Sequence, residues 1–82
     1  MATVRVLVVD ATTGRPLPWV VVWLDSMKDA TDERGVAEFR GVPPGRYRIK
    51  VRTLMYAPYT GEVDVQPGDN AFQVRLLRAH FG

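Results

Sequence analysis

Cysteine is absent from the 82 residues, which excludes disulfides and thiolate-metal sites and leaves stability to packing. Histidine and serine occur once each, as His80 and Ser26, so a nucleophile held against a positioned base has few candidates. No apolar run approaches the roughly 20 residues that a membrane-spanning helix needs. The longest, Trp19 to Leu24, has the length of a strand, and no membrane insertion is expected. An excess of one charge is also lacking. Eleven Lys and Arg against nine Asp and Glu leave +2, too little to mark a nucleic-acid binder by net charge. Side-chain amides are scarce, the composition expected of a thermophilic source. The alternating pattern begins at Met1-Ala2-Thr3-Val4-Arg5, and no signal peptide is expected. The chain is therefore expected to be cytoplasmic if complete as written, or extracellular or at the cell surface if drawn from a longer protein.

What is present is a globular composition, 46% hydrophobic and 24% charged. A chain of this size buries only about 60% of the surface it exposes when unfolded, so its core is thin. Apolar residues recur with period two, and β-branched residues fill the pattern. Strands are expected at Thr3 to Val8, Trp19 to Asp25, Lys28 to Thr31, Val36 to Phe39, Tyr47 to Thr53, Glu62 to Gln66 and Ala71 to Leu77. Between them stand Asp10-Ala11-Thr12-Thr13-Gly14-Arg15-Pro16-Leu17-Pro18, Asp32-Glu33-Arg34-Gly35 and Gly41-Val42-Pro43-Pro44-Gly45. Pro67-Gly68-Asp69-Asn70 reads as a type II turn. Seven short strands at this spacing, with no helical period, define an all-β fold, a β-sandwich of one domain over residues 1–82.

The period assigns inward positions to Val4, Val6, Val8, Val20, Val22, Leu24, Phe39, Tyr47, Ile49, Val51, Val63, Val65, Val74 and Leu76. If 47–53 and 62–66 pair antiparallel, one register sets Arg52 opposite Glu62 and Lys50 opposite Asp64. The same register sets Val51 opposite Val63 and Ile49 opposite Val65, so charge and core agree.

The string Val8-Val9-Asp10, then Thr13-Gly14-Arg15-Pro16-Leu17-Pro18, then Val20, Val22 and Leu24, resembles the carboxypeptidase regulatory-like domain. The resemblance continues through Thr31-Asp32-Glu33-Arg34-Gly35, through Phe39-Arg40-Gly41-Val42-Pro43-Pro44-Gly45, and through Tyr47, Ile49 and Val51. It implies a seven-stranded Greek-key sandwich of the transthyretin-like, or prealbumin-like, kind. It also implies a non-catalytic accessory module attached to enzymes, receptors or surface proteins, with peptidase activity residing in a separate domain.

The residues themselves offer little chemistry. Ser26 has no acid–base partner in any motif, and His80 stands near the end of the chain. The transthyretin-like fold includes a hydroxyisourate hydrolase that uses several histidines and a Tyr-Arg-Gly-Ser ending. This chain has one histidine and ends Arg78-Ala79-His80-Phe81-Gly82. An enzyme is not expected, nor is a cofactor. Asp25, Asp29, Asp32 and Glu33 gather acidic groups around one loop, where calcium and a plainly solvated turn are both conceivable. A Lys–Asn isopeptide bond, known in related surface sandwiches, needs a lysine on the first strand, where Arg5 stands.

The surface is more informative. With Val20, Val22 and Leu24 inward, Trp19, Val21 and Trp23 point outward. The resembled family often carries glycine at the position of Trp19 and a small or polar residue at that of Trp23. In its topology this strand lies beside 47–53, whose outer face is Arg46, Arg48, Lys50 and Arg52. Two readings follow. Arginine stems could cover the indoles, with Glu62 and Asp64 balancing charge. Alternatively the face is a contact surface for a protein partner or a second copy, since Trp and Arg are enriched at binding hot spots. The same aromatic-basic face could hold a glycan, or less readily a nucleic acid. In the loop Leu54-Met55-Tyr56-Ala57-Pro58-Tyr59, the family often has Gly-Tyr, so Met55 replaces the glycine. Tyr56 is expected to plug the end of the sandwich, while Met55 and Tyr59 are candidates to extend a binding edge.

Overall fold

Short turns built on Asp, Asn, Gly and Pro cut the alternating sequence into seven strands. The structure, a computed structural model, describes residues 1–79. The strands are β1 (Ala2–Asp10), β2 (Val21–Leu24), β3 (Met27–Ala30), β4 (Val36–Val42), β5 (Gly45–Val51), β6 (Tyr59–Val65) and β7 (Gly68–Leu76). They form two sheets, of order β4-β1-β7 and β3-β2-β5-β6. β1 runs antiparallel to β4 and parallel to β7, and every pair in the four-stranded sheet is antiparallel. The described residues contain no helix, and the expected all-β sandwich is what forms.

Its core lies between the sheets. Val4, Val6 and Val8 of β1 meet Val22 and Leu24 of β2, Ile49 and Val51 of β5, Val65 of β6, and Val74 and Leu76 of β7. Ala2, Val20, Ala37, Phe39 and Val42 complete it. Tyr47 and Val63, two expected core residues, are only partly buried and pack against it from the periphery.

Polar side chains shape the connections. Asp32 Oδ1 accepts the N–H groups of Arg34 and Val36, which folds the turn into β4 and holds its carboxyl below the usual range. Gly35 takes a φ of 79° there, and a Cβ would stand 2.8 Å from the Pro16 Cβ, so no other residue fits. Asn70 closes the Pro67-Gly68 turn by accepting from Gln66 N and donating to Gln66 O. Gly68 at φ 94° suits the type II geometry.

Two sequence expectations are corrected. The second strand does not run from Trp19 to Asp25. It spans Val21–Leu24, because Trp19 (φ 61°) and Asp25 (φ 51°) are both left-handed and break the extended backbone on either side. The β5–β6 pairing is offset by four residues, with Lys50 facing Thr60 instead of Asp64. Arg46 and Arg48 face Asp64 and Glu62, while Tyr47 faces Val63. An even slip keeps every inward residue inward and every charge among charges, so alternation alone could not choose between the two registers. β5 and β6 both start earlier than expected, and residues 52–58 form the connection.

Candidate functional site

β1 finishes at the same end of the sandwich as β7, since Asp10 lies beside Leu76. The turn into β4 is at this end as well, with Val36 beside Leu7. Tyr56, in the β5–β6 connection, reaches Asp10 through its hydroxyl and so brings the four-stranded sheet to the same end. Loops 11–20, 31–35 and 52–58 and residues 77–79 therefore converge there.

This end is apolar outside as well as inside. Among the described residues five large hydrophobic side chains are exposed, and four of them are here: Trp19 (72%), Leu54, Met55 and Leu77. Met1, beside the Ala2–Gly68 pair, is at the other end.

Trp19 is held against its own backbone preference. Its N–H donates to Thr31 O at 3.0 Å, and the buried Thr31 hydroxyl accepts from Val20 N at 2.9 Å while donating to Leu17 O at 2.7 Å. These bonds fix the loop so that the indole stands out at φ 61°. Met55 repeats the pattern at φ 74°, clamped because its carbonyl accepts the Ala79 N–H while Ala57 N–H donates to Leu77 O. A bulky residue with positive φ costs of order 1–3 kcal/mol and persists where its surroundings impose it.

At this end sits Asp10, only 2% exposed. Oδ1 accepts from Thr12 N at 2.8 Å and Thr13 N at 3.0 Å, and Oδ2 accepts the Tyr56 hydroxyl at 2.7 Å and Arg78 Nε at 3.4 Å. The Tyr56 hydroxyl foremost, then the Thr13 and Thr12 N–H groups and Arg78, hold the Asp10 carboxyl far below the ordinary carboxylate range. The same bond pushes the Tyr56 phenol up. Tyr56 packs against the core, as a plug would, and Arg78 lies over its ring at 5.9 Å. Asp10, Tyr56, Arg78, Arg15 and Leu17 line a cleft of about 290 Å³.

A larger groove, about 370 Å³, runs between β3 and β4. It is occupied by its own contacts: Glu38 pairs with Arg5 and Arg40, Asp29 accepts Glu38 N, and Asp32 is committed to its turn. Size therefore does not single it out as a site.

The outer face of the four-stranded sheet carries Val21 and Trp23, both half-buried. Trp23 lies between Lys28 and Lys50 on the neighbouring strands. Arg46 is taken up by Asp64 at 3.1 Å and Glu62 at 3.5 Å. Arg48 and Lys50 make no ion pair among the described residues, and Arg52 follows β5. Among those residues the cation set over an aromatic ring is Arg78 on Tyr56, and neither indole is covered in that way. The structure thus separates the two tryptophans, Trp23 on the sheet and Trp19 at the end. Tyr59 lies on the inward side of β6, packed against the core and along Gly61, away from Trp23.

Leu54 and Leu77 join Trp19 and Met55 without having been singled out. Leu77 was readable as the outward neighbour of Leu76, whereas the convergence of Arg15 and Arg78 depends on the chain closing back on itself. Asp25 and Asp32 fall at opposite ends of the sandwich, and no group of three His, Asp or Glu among the described residues could hold a metal ion. Ser26 is exposed in the β2–β3 turn. His80 lies outside the described residues. No helix among the described residues is long and apolar enough to cross a membrane.

Two sheets of three and four strands with this order make the domain a transthyretin-like β-sandwich. The chain belongs to the carboxypeptidase regulatory-like domain family, which it matches over residues 3–76. No curated protein matches the sequence. Among solved structures it is similar to the Bacillus anthracis TIE protein, with a TM-score of 0.79 and 15% identity, covering 93% of this chain and 16% of that one. It is similar to a minor pilin of Streptococcus agalactiae, with a TM-score of 0.74 and 16% identity, over 99% of this chain and 45% of the pilin. The Klebsiella pneumoniae 5-hydroxyisourate hydrolase gives a TM-score of 0.68 and 19% identity, over 100% of this chain and 95% of the hydrolase. At these identities the likeness is one of fold, and the chain spans less than half of each of the first two proteins.

Proposed function

We propose that the domain is a non-catalytic binding module that engages a protein partner, either a second copy or a larger protein, through the Trp19 end and the adjoining Val21–Trp23 face. One observation carries this reading: an indole 72% exposed on a residue locked at positive φ. Packing gives no reason for a large side chain there, and glycine would adopt the same backbone without strain. Met55 repeats the combination a short distance along the same end. Trp is among the residues most enriched where binding energy concentrates.

The test separates binding from folding. Trp19→Gly removes the indole and the strain together, and the extra chain entropy of glycine offsets part of the gain. Stability should stay within about 1 kcal/mol of the parent domain. Light scattering and quantitative capture of partners from the source cells are expected to show association lost in this variant and in Met55→Gly. If both variants scatter and capture as the parent domain does, the end is not a binding surface.

A second reading rests on Trp23. With Glu62 and Asp64 both engaged by Arg46, Arg48 and Lys50 stand beside the indole without an ion pair among the described residues. Such a face suits an anionic glycan stacked on the ring. Affinity for such a polymer should fall steeply with salt and depend on Trp23 but not Trp19.

A further inference from the structure

The cleft between Asp10, Tyr56 and Arg15 at this end narrows the partner's chemistry, an inference that rests on the protein-binding reading above. At its back, Asp10 has both oxygens engaged, by Thr12 N, Thr13 N, the Tyr56 hydroxyl and Arg78 Nε. The Tyr56 proton is committed to that carboxylate. Arg78 reaches Asp10 through its Nε, at 3.4 Å, and its side chain is 64% exposed, so the guanidinium is open to a ligand from solvent. The Arg15 guanidinium makes no ion pair or hydrogen bond among the described residues, although it lines the cleft. A guanidinium has donors and no acceptor. What faces the cleft is thus a pair of forked cations, and its complement is an anion that only accepts.

Charge and shape choose among such anions. Two arginines against one buried carboxylate leave a single positive charge, which one singly charged group neutralises. A planar carboxylate meets the guanidinium fork in two parallel hydrogen bonds. Leu17 and the Tyr56 ring give the cleft an apolar side, and the exposed Trp19 and Met55 follow Leu17 by two residues and precede Tyr56 by one. We propose that the cleft receives a carboxylate of the partner, an Asp or Glu side chain or a chain terminus, with an adjacent apolar residue resting on Leu17 and the Tyr56 ring.

Nitrogen-15-labelled domain titrated with N-acetyl-leucine, N-acetyl-leucinamide and inorganic phosphate at constant ionic strength tests this. N-acetyl-leucine should shift the backbone amides of Thr13, Arg15, Tyr56 and Arg78 saturably. The uncharged amide should bind about tenfold more weakly, the effect of losing a charge-assisted hydrogen bond. Phosphate should bind more weakly because it has no apolar group to rest on Leu17 and the Tyr56 ring. Arg15→Gln should weaken the carboxylate by a similar factor with an unchanged melting temperature, since that side chain supports nothing in the fold. Arg15→Lys should restore part of it. Absence of the shifts, equal binding of the amide, tighter binding of phosphate, or an unaltered response in Arg15→Gln would each overturn the proposal. Should association still be lost in Trp19→Gly, the binding-module reading survives that failure. Retained association in Trp19→Gly beside an Arg15-dependent carboxylate would overturn the module reading instead.

Discussion

Thr31 shows how much of the site hangs on one hydroxyl. Its oxygen is buried, takes the Val20 N–H and returns a proton to Leu17 O, while Trp19 N–H rests on its carbonyl. Without that network the β1–β2 loop has no means of holding an indole at positive φ. Thr31→Val keeps the shape and deletes both bonds, leaving a buried donor and an acceptor unmatched. A loss of about 1–3 kcal/mol is expected. Denaturant unfolding measures it, and an unchanged midpoint would mean that water or a loop shift satisfies both groups. Trp19 fluorescence should change as well, because the loop that presents it relaxes. The sequence shows a threonine just before an Asp-x-x-Gly turn and nothing more. Its burial follows from the β2–β3 ladder running on past Ala30, which sets Thr31 against Trp19, Val20 and Leu17, a pairing that periodicity does not encode.

The strands illustrate what alternation decides and what it leaves open. Six of the seven were legible because apolar residues at every second position demand a buried face. β3, Met27–Ala30 with no buried residue, was legible only from its place between β2 and the Asp32–Gly35 turn. The β5–β6 register was not, since any even slip satisfies both pleat and charge. The observed register makes Arg46 the partner of Asp64, at 3.1 Å, and leaves Lys50 opposite Thr60. Both Arg46 and Asp64 are largely exposed, so solvent screening keeps their coupling small. A double-mutant cycle should find that coupling for Arg46→Ala with Asp64→Ala, weakening as salt rises. The cycle for Lys50→Ala with Asp64→Ala should give none. Coupling in the second cycle and not the first would favour the offset pairing. β2 carries the same lesson for direction: Trp19 and Trp23 share parity, which placed them on one face. The left-handed turn at Trp19 instead sends the two indoles to different surfaces.

At the scale of the molecule, Asp10 joins the two halves. It ends the central strand of the three-stranded sheet, and Tyr56 reaches it from a loop of the four-stranded one. It does so beside the core contacts of Val8, Val51 and Leu76 and the backbone bonds of Ala57 to Leu77 and Ala79 to Met55. Asp10 is also titratable, and its folded-state carboxyl lies far below the unfolded value of about 4. A lowered folded value means the unfolded chain binds the proton more readily. The stabilisation is therefore complete above about pH 4 and is lost as pH falls below it. Asp32, held by the Val36 and Arg34 N–H groups, and Glu38, held by Arg40, shift in the same direction and add to the acid sensitivity. Asp10→Asn should consequently melt lower than the parent domain near neutral pH, with the difference shrinking as both approach about pH 2. Circular-dichroism melts across that range provide the measurement. A gap constant with pH would mean that the Asp10 contribution is one of shape and not of charge. In that case the carboxylate would not be what draws Tyr56 and Arg78 into the cleft, and the arginines lining it would owe their placement to the loops alone.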